Sequence, residues 1–240
     1  MKDNRTHLLL ILIISLLLFS GCTKRSDSES SQDTSPKQER RFLSVGTAPP
    51  GGAFFVVGSA LAEVIGSHSQ SLGWQVSGEA TKGTQENIRR LDQGELDFAL
   101  ANAAITYFAV RGEGKWQREY PIRSVLTLAP NVALFITPQK SGIRSIPDLK
   151  GNRVVVGPAG AGFEHFIEPI VQSRGLSYGD FNPLHETQAG AVALLADGSA
   201  QAAFLGGAVP TAAIVQACAA QDIHFIPFGD RAIEKLVAEY

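Results

Sequence analysis

The feature that most constrains the fold of this 240-residue chain is one order of elements that occurs twice. A short apolar stretch at 42–46 runs into a glycine-rich turn at 47–52, and a similar stretch at 153–157 runs into a glycine-rich turn at 158–162. After the first turn, the apolar residues at 53–65 have helical spacing. Strands that alternate with helices favour a mostly parallel sheet covered on both faces, so the sequence predicts an α/β fold.

The two halves keep a similar spacing further along the chain. Gly94 and Gly198, for example, are 104 residues apart and sit in similar surroundings. We interpret this order as two α/β lobes, at 42–131 and 132–240, which face each other across a ligand cleft. An apolar stretch at 132–137 would pass from the first lobe into the second and act as a hinge. Chance recurrence of ordinary strand–turn–helix patterns is the alternative.

The start of the chain has the pattern of an export signal followed by a tether. An uncharged apolar run at 8–20 is too short for a membrane span, which needs about 20 residues. The sequence LFSGC, which ends at Cys22, resembles a bacterial lipobox, so we predict a signal peptide at 1–21 and lipidation of Cys22. The polar stretch that follows predicts a disordered tether at 22–41. These features predict an exported, membrane-anchored lipoprotein that faces the periplasm or the cell exterior, and an uncleaved membrane anchor is the alternative.

Composition and motifs exclude several classes of protein. Apolar residues make up 44% of the chain, which excludes a wholly disordered protein, and 21 basic against 23 acidic residues argue against nucleic acid as a partner. Two cysteines, Cys22 and Cys218, are too few for a disulfide-rich scaffold, and we expect Cys218 to be buried. The histidines lack metal-ligand spacing and no G-x-S-x-G motif occurs, so we predict a protein that is not an enzyme and needs no metal or cofactor.

The glycine-rich turns indicate a site for an anion. Each turn opens onto a helix, where free backbone N–H groups and the helix dipole attract negative charge. Gly51, Gly52 and Gly160 would offer such N–H groups to a carboxylate, although each glycine alone is explained by the turn that it permits. A further turn supplies the ammonium of Lys82 between two threonines, for which helix capping is the alternative. Asn102 follows a strand, where it either binds a ligand or caps the next helix.

Three stretches, at 46–58 (GTAPPGGAFFVVG), 81–87 (TKGTQEN) and 94–100 (GELDFAL), share the spacing of one receptor family. They resemble the TAXI-type solute receptors of TRAP transporters. The resemblance implies a type II periplasmic binding protein fold, with two α/β lobes around the cleft. It also implies capture of a small acidic solute, either a dicarboxylate or a glutamate-like compound, and its delivery to the membrane subunits of a TRAP transporter.

The turns and the resemblance together give a set of expected ligand contacts. Lys82 would be the cationic partner of the ligand, and Phe54 or Phe163 would stack on its carbon skeleton. The expected ligand-binding residues are Thr47, Gly51, Gly52, Phe54, Thr81, Lys82, Gly83, Thr84, Asn87, Asn102, Gly160, Gly162, Phe163 and Gly206.

The chain also departs from the family pattern. The sequence NAA at 102–104 stands where the family often has Gln-Ser-Asp, and GAGF at 160–163 lacks the usual hydroxyl groups, which indicates a changed or a lost ligand. The chain stops at Tyr240, where the family continues with a return crossing into the first lobe, so we predict a C-terminally truncated receptor. The alternatives are an ABC-type substrate-binding lipoprotein and a sensory or structural lipoprotein that has lost solute binding.

Overall fold

The computed structural model describes residues 40–230 together with Ile233, Glu234 and Ala238. The predicted signal peptide, the lipidation site Cys22 and nearly all of the predicted tether lie outside these residues. The described residues belong to one compact unit. Within them, no helix is long and apolar enough to cross a membrane.

The described part of the chain contains eight strands and six α-helices in an alternating order. The strands are β1 (Arg41–Gly46), β2 (Trp74–Glu79), β3 (Phe98–Ala99), β4 (Val132–Pro138), β5 (Arg153–Val155), β6 (Asn182–Leu184), β7 (Ala202–Gly207) and β8 (Ile223–Ile226). The helices are α1 (Ala53–His68), α2 (Thr84–Asp92), α3 (Ala103–Arg111), α4 (Glu164–Ser173), α5 (Gln188–Ala196) and α6 (Ala212–Ala220).

The strands form two separate sheets with the same local topology. The first sheet has the order β2-β1-β3, and both of its strand pairs are parallel. The second sheet has the order β6-β5-β7-β4-β8, in which β5 pairs in parallel with β6 and β7. The neighbours of β1 therefore correspond to those of β5, as the recurring sequence order predicted. The predicted α/β fold is confirmed.

The predicted strand at 132–137 is present as β4, and it makes the second sheet a mixed one. It runs antiparallel to both of its neighbours, β7 and β8. The prediction of mostly parallel pairing is therefore confirmed for the first sheet, whereas the outer half of the second sheet is antiparallel. The role of this strand as a hinge stays a prediction.

Two details of the sequence interpretation need correction. Strand β1 begins at Arg41, a residue assigned to the tether, because its main chain pairs with Trp74 at the edge of the first sheet. Cys218 is exposed rather than buried. Helix α6 buries the side that carries Ala213 and Ala217, and Cys218 lies on the other side of the helix.

Helices cover both faces of the second sheet, and its core is correspondingly divided in two. One apolar cluster includes Phe135, Phe204 and Ile167, and the other includes Leu195 and Leu205. All five side chains are almost fully buried. In the first sheet, Val45 packs with Ala62 of α1 and with Leu100 in a smaller cluster. A further cluster joins α2 and α3 through Ile88 and Ile105. Burial on both faces explains why β4 and β7 of the second sheet are nearly continuous apolar runs, whereas β2 of the first sheet contains exposed polar residues.

Phe204 provides a test of this packing. It is 1% exposed, and its ring meets the rings of Phe135 and Phe163 edge to face, with centroids 5.1 Å and 5.5 Å apart. We expect Phe204→Ala to lower the free energy of unfolding by about 3–5 kcal/mol, measured by urea denaturation, because it leaves a cavity in the core. The matched control is Phe225→Ala on β8, since Phe225 is 44% exposed and its loss should cost less than about 1 kcal/mol. Equal losses for the two variants would contradict the assignment of this core.

Candidate functional site

The carboxyl ends of the six parallel strands converge on one cleft between the two sheets. Each strand contributes lining residues from its own end, from the connection that follows it or from the start of the next helix. The cleft encloses about 570 Å³, a volume that includes the solvent at its mouth. The lining residues numbered 48–131 form what we call the first wall, and those numbered 158–207 form the second wall. A crevice beyond the carboxyl ends of parallel strands is the usual place for a ligand in α/β folds.

The structure brings more than half of the expected ligand-binding residues to the lining of this cleft and places the others outside the lining. The ones that line the cleft are Gly52, Phe54, Lys82, Gly83, Thr84, Asn102, Phe163 and Gly206. The ones that do not line it are Thr47, Gly51, Thr81, Asn87, Gly160 and Gly162. Ligand contact by any of the fourteen stays a prediction.

Three of the residues behind the first wall form a hydrogen-bond network that connects the strand ends. The main-chain carbonyl of Thr47 accepts hydrogen bonds from the Thr81 hydroxyl at 3.0 Å and the Asn87 side-chain amide at 2.8 Å. The same amide donates to the carbonyl of Leu100, and the Thr47 hydroxyl donates to the carbonyl of Glu79. These side chains are buried. Their polar groups therefore fix the geometry of the wall instead of projecting into the cleft.

Two of the glycines expected at the ligand instead allow the two walls to touch. A Cβ atom on Gly162 would lie 2.9 Å from Cγ of Gln85, across the cleft. A Cβ atom on Gly51 would lie 3.1 Å from Cβ of Ala189, at the start of α5. Both glycines have positive φ angles, +91° and +93°. A side chain at either position would be strained and would push the walls apart.

The glycine N–H groups are only partly available to a ligand. The N–H of Gly52 donates to the carbonyl of Pro49 at 3.3 Å, so it closes the turn. The next N–H groups, at the start of α1, have no partner within their helix, and no side chain of the described residues caps them. The carbonyl of Gly160 accepts from the N–H of Glu86, which makes another contact between the two sides of the cleft.

The charge of the cleft favours an anion. Lys82 is the single charged side chain among its lining residues, and no acidic group of the described chain pairs with it. Helices α1 and α5 both begin at the cleft, and neither has an acidic residue in its first turn. The positive end of the α1 dipole and the Lys82 ammonium therefore face the cleft without a carboxylate in its lining. At the start of α5, by contrast, the Glu186 carboxylate accepts the N–H of Thr187 at 3.2 Å.

Polar side chains of the first wall have donors left after their structural bonds are made. The side-chain oxygen of Asn102 caps α3 by accepting from the N–H groups of Ala104 and Ile105, at 2.9 Å and 3.4 Å. Its amide nitrogen makes no hydrogen bond with the described residues. The Thr84 hydroxyl oxygen accepts from the main-chain N–H of Asn102, which leaves the hydroxyl hydrogen free to donate. The structure thus supports the capping role of Asn102 and still leaves a donor for a ligand.

Sequence reasoning missed several lining residues, most importantly Gln188. It is the first residue of α5, as Thr84 is the first residue of α2, and the two are 104 residues apart. The same separation relates Gly94 to Gly198, so this repeat, counted from Thr84, would have identified Gln188 as a lining residue. The other residues that were missed are mostly apolar, and several lie within the glycine-rich turns without being singled out there: Ala48, Pro49, Ala53, Ile105, Asn131, Pro158, Ala161, Phe166 and Gly207.

Polar and aromatic contacts join the two sides beside the cleft. The side-chain amide of Gln85 lies 3.1 Å from Oε1 of Glu164, to which it donates, and 2.8 Å from Nε2 of His165. The His165 ring stacks on Trp116, with ring centroids 6.3 Å apart. When His165 is neutral, its Nε2 accepts the amide N–H of Gln85. When it is protonated, two donors face each other and this bond is lost.

The pKa of His165 is lowered from its ordinary value of 6.5, and burial of the ring is the main cause. The Glu164 carboxylate opposes this shift, the Lys115 ammonium adds to it, and Glu168 opposes it again. Lys115 and Glu168 are themselves paired at 2.7 Å. The folded protein therefore favours the neutral imidazole that the Gln85 contact requires.

The lowered pKa of His165 predicts a pH dependence of stability. The unfolded chain takes up the proton at a higher pH than the folded chain, so the free energy of unfolding falls as the pH drops below 6.5. We expect His165→Gln, which keeps an acceptor but does not titrate, to flatten the stability curve between pH 7 and about pH 5. The exposed His185 gives the matched control, because His185→Gln should keep the wild-type slope. Urea denaturation at several pH values measures both, and an unchanged slope in His165→Gln would contradict the account.

Two α/β sheets whose strand ends share one cleft define the type II periplasmic binding protein fold. The chain belongs to the NMT1-like family, whose model matches residues 45–240. The resemblance to TAXI-type receptors stays a prediction. Among the residues that the structure describes, no group of three or more His, Cys, Asp or Glu side chains is placed to hold a metal ion.

Solved structures with this fold share little sequence with the chain. A binding-protein component of an ABC phosphonate transporter from Pseudomonas aeruginosa is 14% identical with a TM-score of 0.56, over 83% of this chain and 74% of that one. The periplasmic aliphatic sulphonate-binding protein of Escherichia coli is 16% identical with a TM-score of 0.50, over 78% of this chain and 57% of that one. A protein of Bordetella bronchiseptica is 17% identical with a TM-score of 0.54, over 77% of this chain and 56% of that one. The chain thus spans just over half the length of the last two proteins.

Proposed function

We propose that this protein is an exported solute-binding receptor, which captures a small organic acid in the cleft and delivers it to a membrane transporter. The observation that carries the proposal is the charge of the cleft. Lys82 and the start of α1 face a space whose described lining contains no carboxylate. An acid bound there would supply the missing negative charge.

The remainder of the lining suits the carbon skeleton of such a ligand. The rings of Phe54, Phe163 and Phe166 line the cleft together with the side chain of Ile105. Ligand sites commonly combine an apolar lining with a few polar groups that fix orientation. We propose that each sheet forms one lobe together with its helices and that the chain passes between the lobes near residue 131. The two lobes would close on the ligand. Binding without turnover fits this lining, and the proposal includes no enzyme activity.

The choice between transporter classes rests on the comparisons. The solved structure with the TM-score of 0.56 is a binding protein of an ABC transporter, which supports an ABC-type importer as the partner. The TAXI-like motifs around Lys82 support a TRAP transporter instead. We propose the ABC-type partner first and keep the TRAP-type partner as the second candidate. Co-purification with the membrane subunits of an ABC or of a TRAP transporter distinguishes the two.

Export and anchoring complete the proposal. The lipobox that ends at Cys22 supports removal of residues 1–21 and attachment of lipid to the cysteine. The receptor would then face the periplasm or the cell exterior on a flexible tether. Metabolic labelling with a fatty acid tests this, and a Cys22→Ser variant should lose the label.

Capture of an acid is tested by thermal unfolding with a panel of small organic acids and amino acids. A ligand at about 100 times its Kd adds about 2.7 kcal/mol, or several degrees of Tm at about 2–4 °C per kcal/mol. We expect Lys82→Ala to weaken binding of the best acid about tenfold, a loss of about 1.4 kcal/mol. Lys140→Ala, an exposed lysine outside the cleft lining, is the control and should bind normally. A cooperative transition that no acid shifts would contradict the proposal.

A further inference from the structure

Gln188 carries a buried acceptor that the protein leaves unpaired. The side chain is 9% exposed and lines the second wall of the cleft. Its amide nitrogen Nε2 donates to the main-chain carbonyl of Gly206 at 2.6 Å. Its oxygen Oε1 is buried and has no hydrogen-bond partner among the described residues. A buried acceptor without a donor destabilises the protein, and a donor on a bound ligand would remove that cost.

The orientation of this amide follows from its bond to Gly206. A carbonyl oxygen accepts hydrogen bonds and does not donate them, so the nitrogen of the Gln188 amide must face Gly206. The oxygen therefore points away from Gly206, and the group that it needs is a donor. A ligand that reaches Oε1 must therefore bring a hydrogen-bond donor, and this requirement does not depend on the positive charge in the cleft.

The donor on the ligand is a neutral one. An ammonium group held in a narrow site needs a carboxylate partner, and the described lining contains none. Two acids near the walls already have partners in the protein, since Glu164 accepts the amide of Gln85 and Glu186 accepts the N–H of Thr187. The α-ammonium of a glutamate-like compound would therefore be poorly compensated, whereas a hydroxyl group satisfies Oε1 without adding charge.

The site for the anion lies beside the same amide. A Cβ atom on Gly52 would be 3.9 Å from Nε2 of Gln188, and the Gly51 position touches Ala189. The starts of α1 and α5 therefore meet at Gln188, and the start of α1, which has no acidic residue in its first turn and no side-chain cap, is the open position for an anion. An anionic group and a hydroxyl that contact this point together must be close neighbours in the ligand.

We propose that the cleft selects 2-hydroxy acids. The carboxylate lies at the start of α1, and the hydroxyl on the adjacent carbon donates to Oε1 of Gln188. The side group of the acid extends toward the rings of Phe54 and Phe163. This inference rests on the proposed capture of a small acid and narrows the class of that acid.

Two matched series of ligands test the inference by isothermal titration calorimetry on the purified protein. One series is lactate, propionate, pyruvate and alanine, and the other is 3-phenyllactate, 3-phenylpropionate, phenylpyruvate and phenylalanine. Within each series the carbon skeleton is constant and only the group beside the carboxylate changes. We expect the hydroxy acid of at least one series to bind about tenfold or more tightly than its three counterparts, since only its hydroxyl offers a neutral donor.

A variant of Gln188 separates this contact from other causes of preference. Gln188→Met keeps the length of the side chain and removes Oε1. The ratio of hydroxy-acid to deoxy-acid affinity in that variant should fall to about one, because the ligand hydroxyl can no longer form its hydrogen bond to Oε1. Gln216→Met, an exposed glutamine on α6, is the matched control and should keep the wild-type ratio.

The outcomes are distinguishable. An amino acid or a deoxy acid that binds wild type as tightly as the hydroxy acid overturns the inference and leaves the proposed function standing. A preference for the hydroxy acid that survives in Gln188→Met also overturns it. If Gln188→Met does not fold, the wild-type ratios alone decide. If no acid in the panel binds, the proposed capture of an acid fails and the inference fails with it.

Discussion

One buried acceptor, the main-chain carbonyl of Thr47, holds together the strand ends that form the first wall. This carbonyl accepts hydrogen bonds from the hydroxyl of Thr81 and the side-chain amide of Asn87, which lie on either side of the turn that carries Lys82. The amide also reaches the carbonyl of Leu100, just beyond β3. Loss of these donors would leave buried carbonyl groups unpaired, which costs about 1–3 kcal/mol each. The position of Lys82, and with it the charge of the cleft, depends on this network.

The second constraint is the close approach of the two walls. Gly162 and Gly51 lack the side chains that would separate the walls, and Gln85 bonds across to Glu164 and His165. Contact at these points narrows the cleft and brings its two sides close together. A hydrogen bond to a buried group such as Oε1 of Gln188 is stronger than one on an open surface. The same closeness explains how an uncharged amide such as Gln188 could discriminate between ligands.

The sequence predicts the fold better than it predicts the site. The recurring order of strand, glycine turn and helix is a property of main-chain geometry, so it predicts two sheets of similar topology. A polar residue beside a turn is ambiguous, because the sequence does not show whether its partner is a ligand or the protein's own carbonyl groups. Thr47 and Asn87 fit a binding motif, yet their bonds are internal. Gln188 has no motif and was missed, although the internal spacing pointed to it.

The central claim is that one small acid contacts both walls at once. Amide chemical shifts of the ¹⁵N-labelled protein, titrated with the acid that binds best, test this most directly. We expect the largest shifts in both walls, at Ala53 and Gly83 on one side and at Gln188 and Gly207 on the other. Shifts confined to one wall, or to residues outside the cleft, would contradict the account.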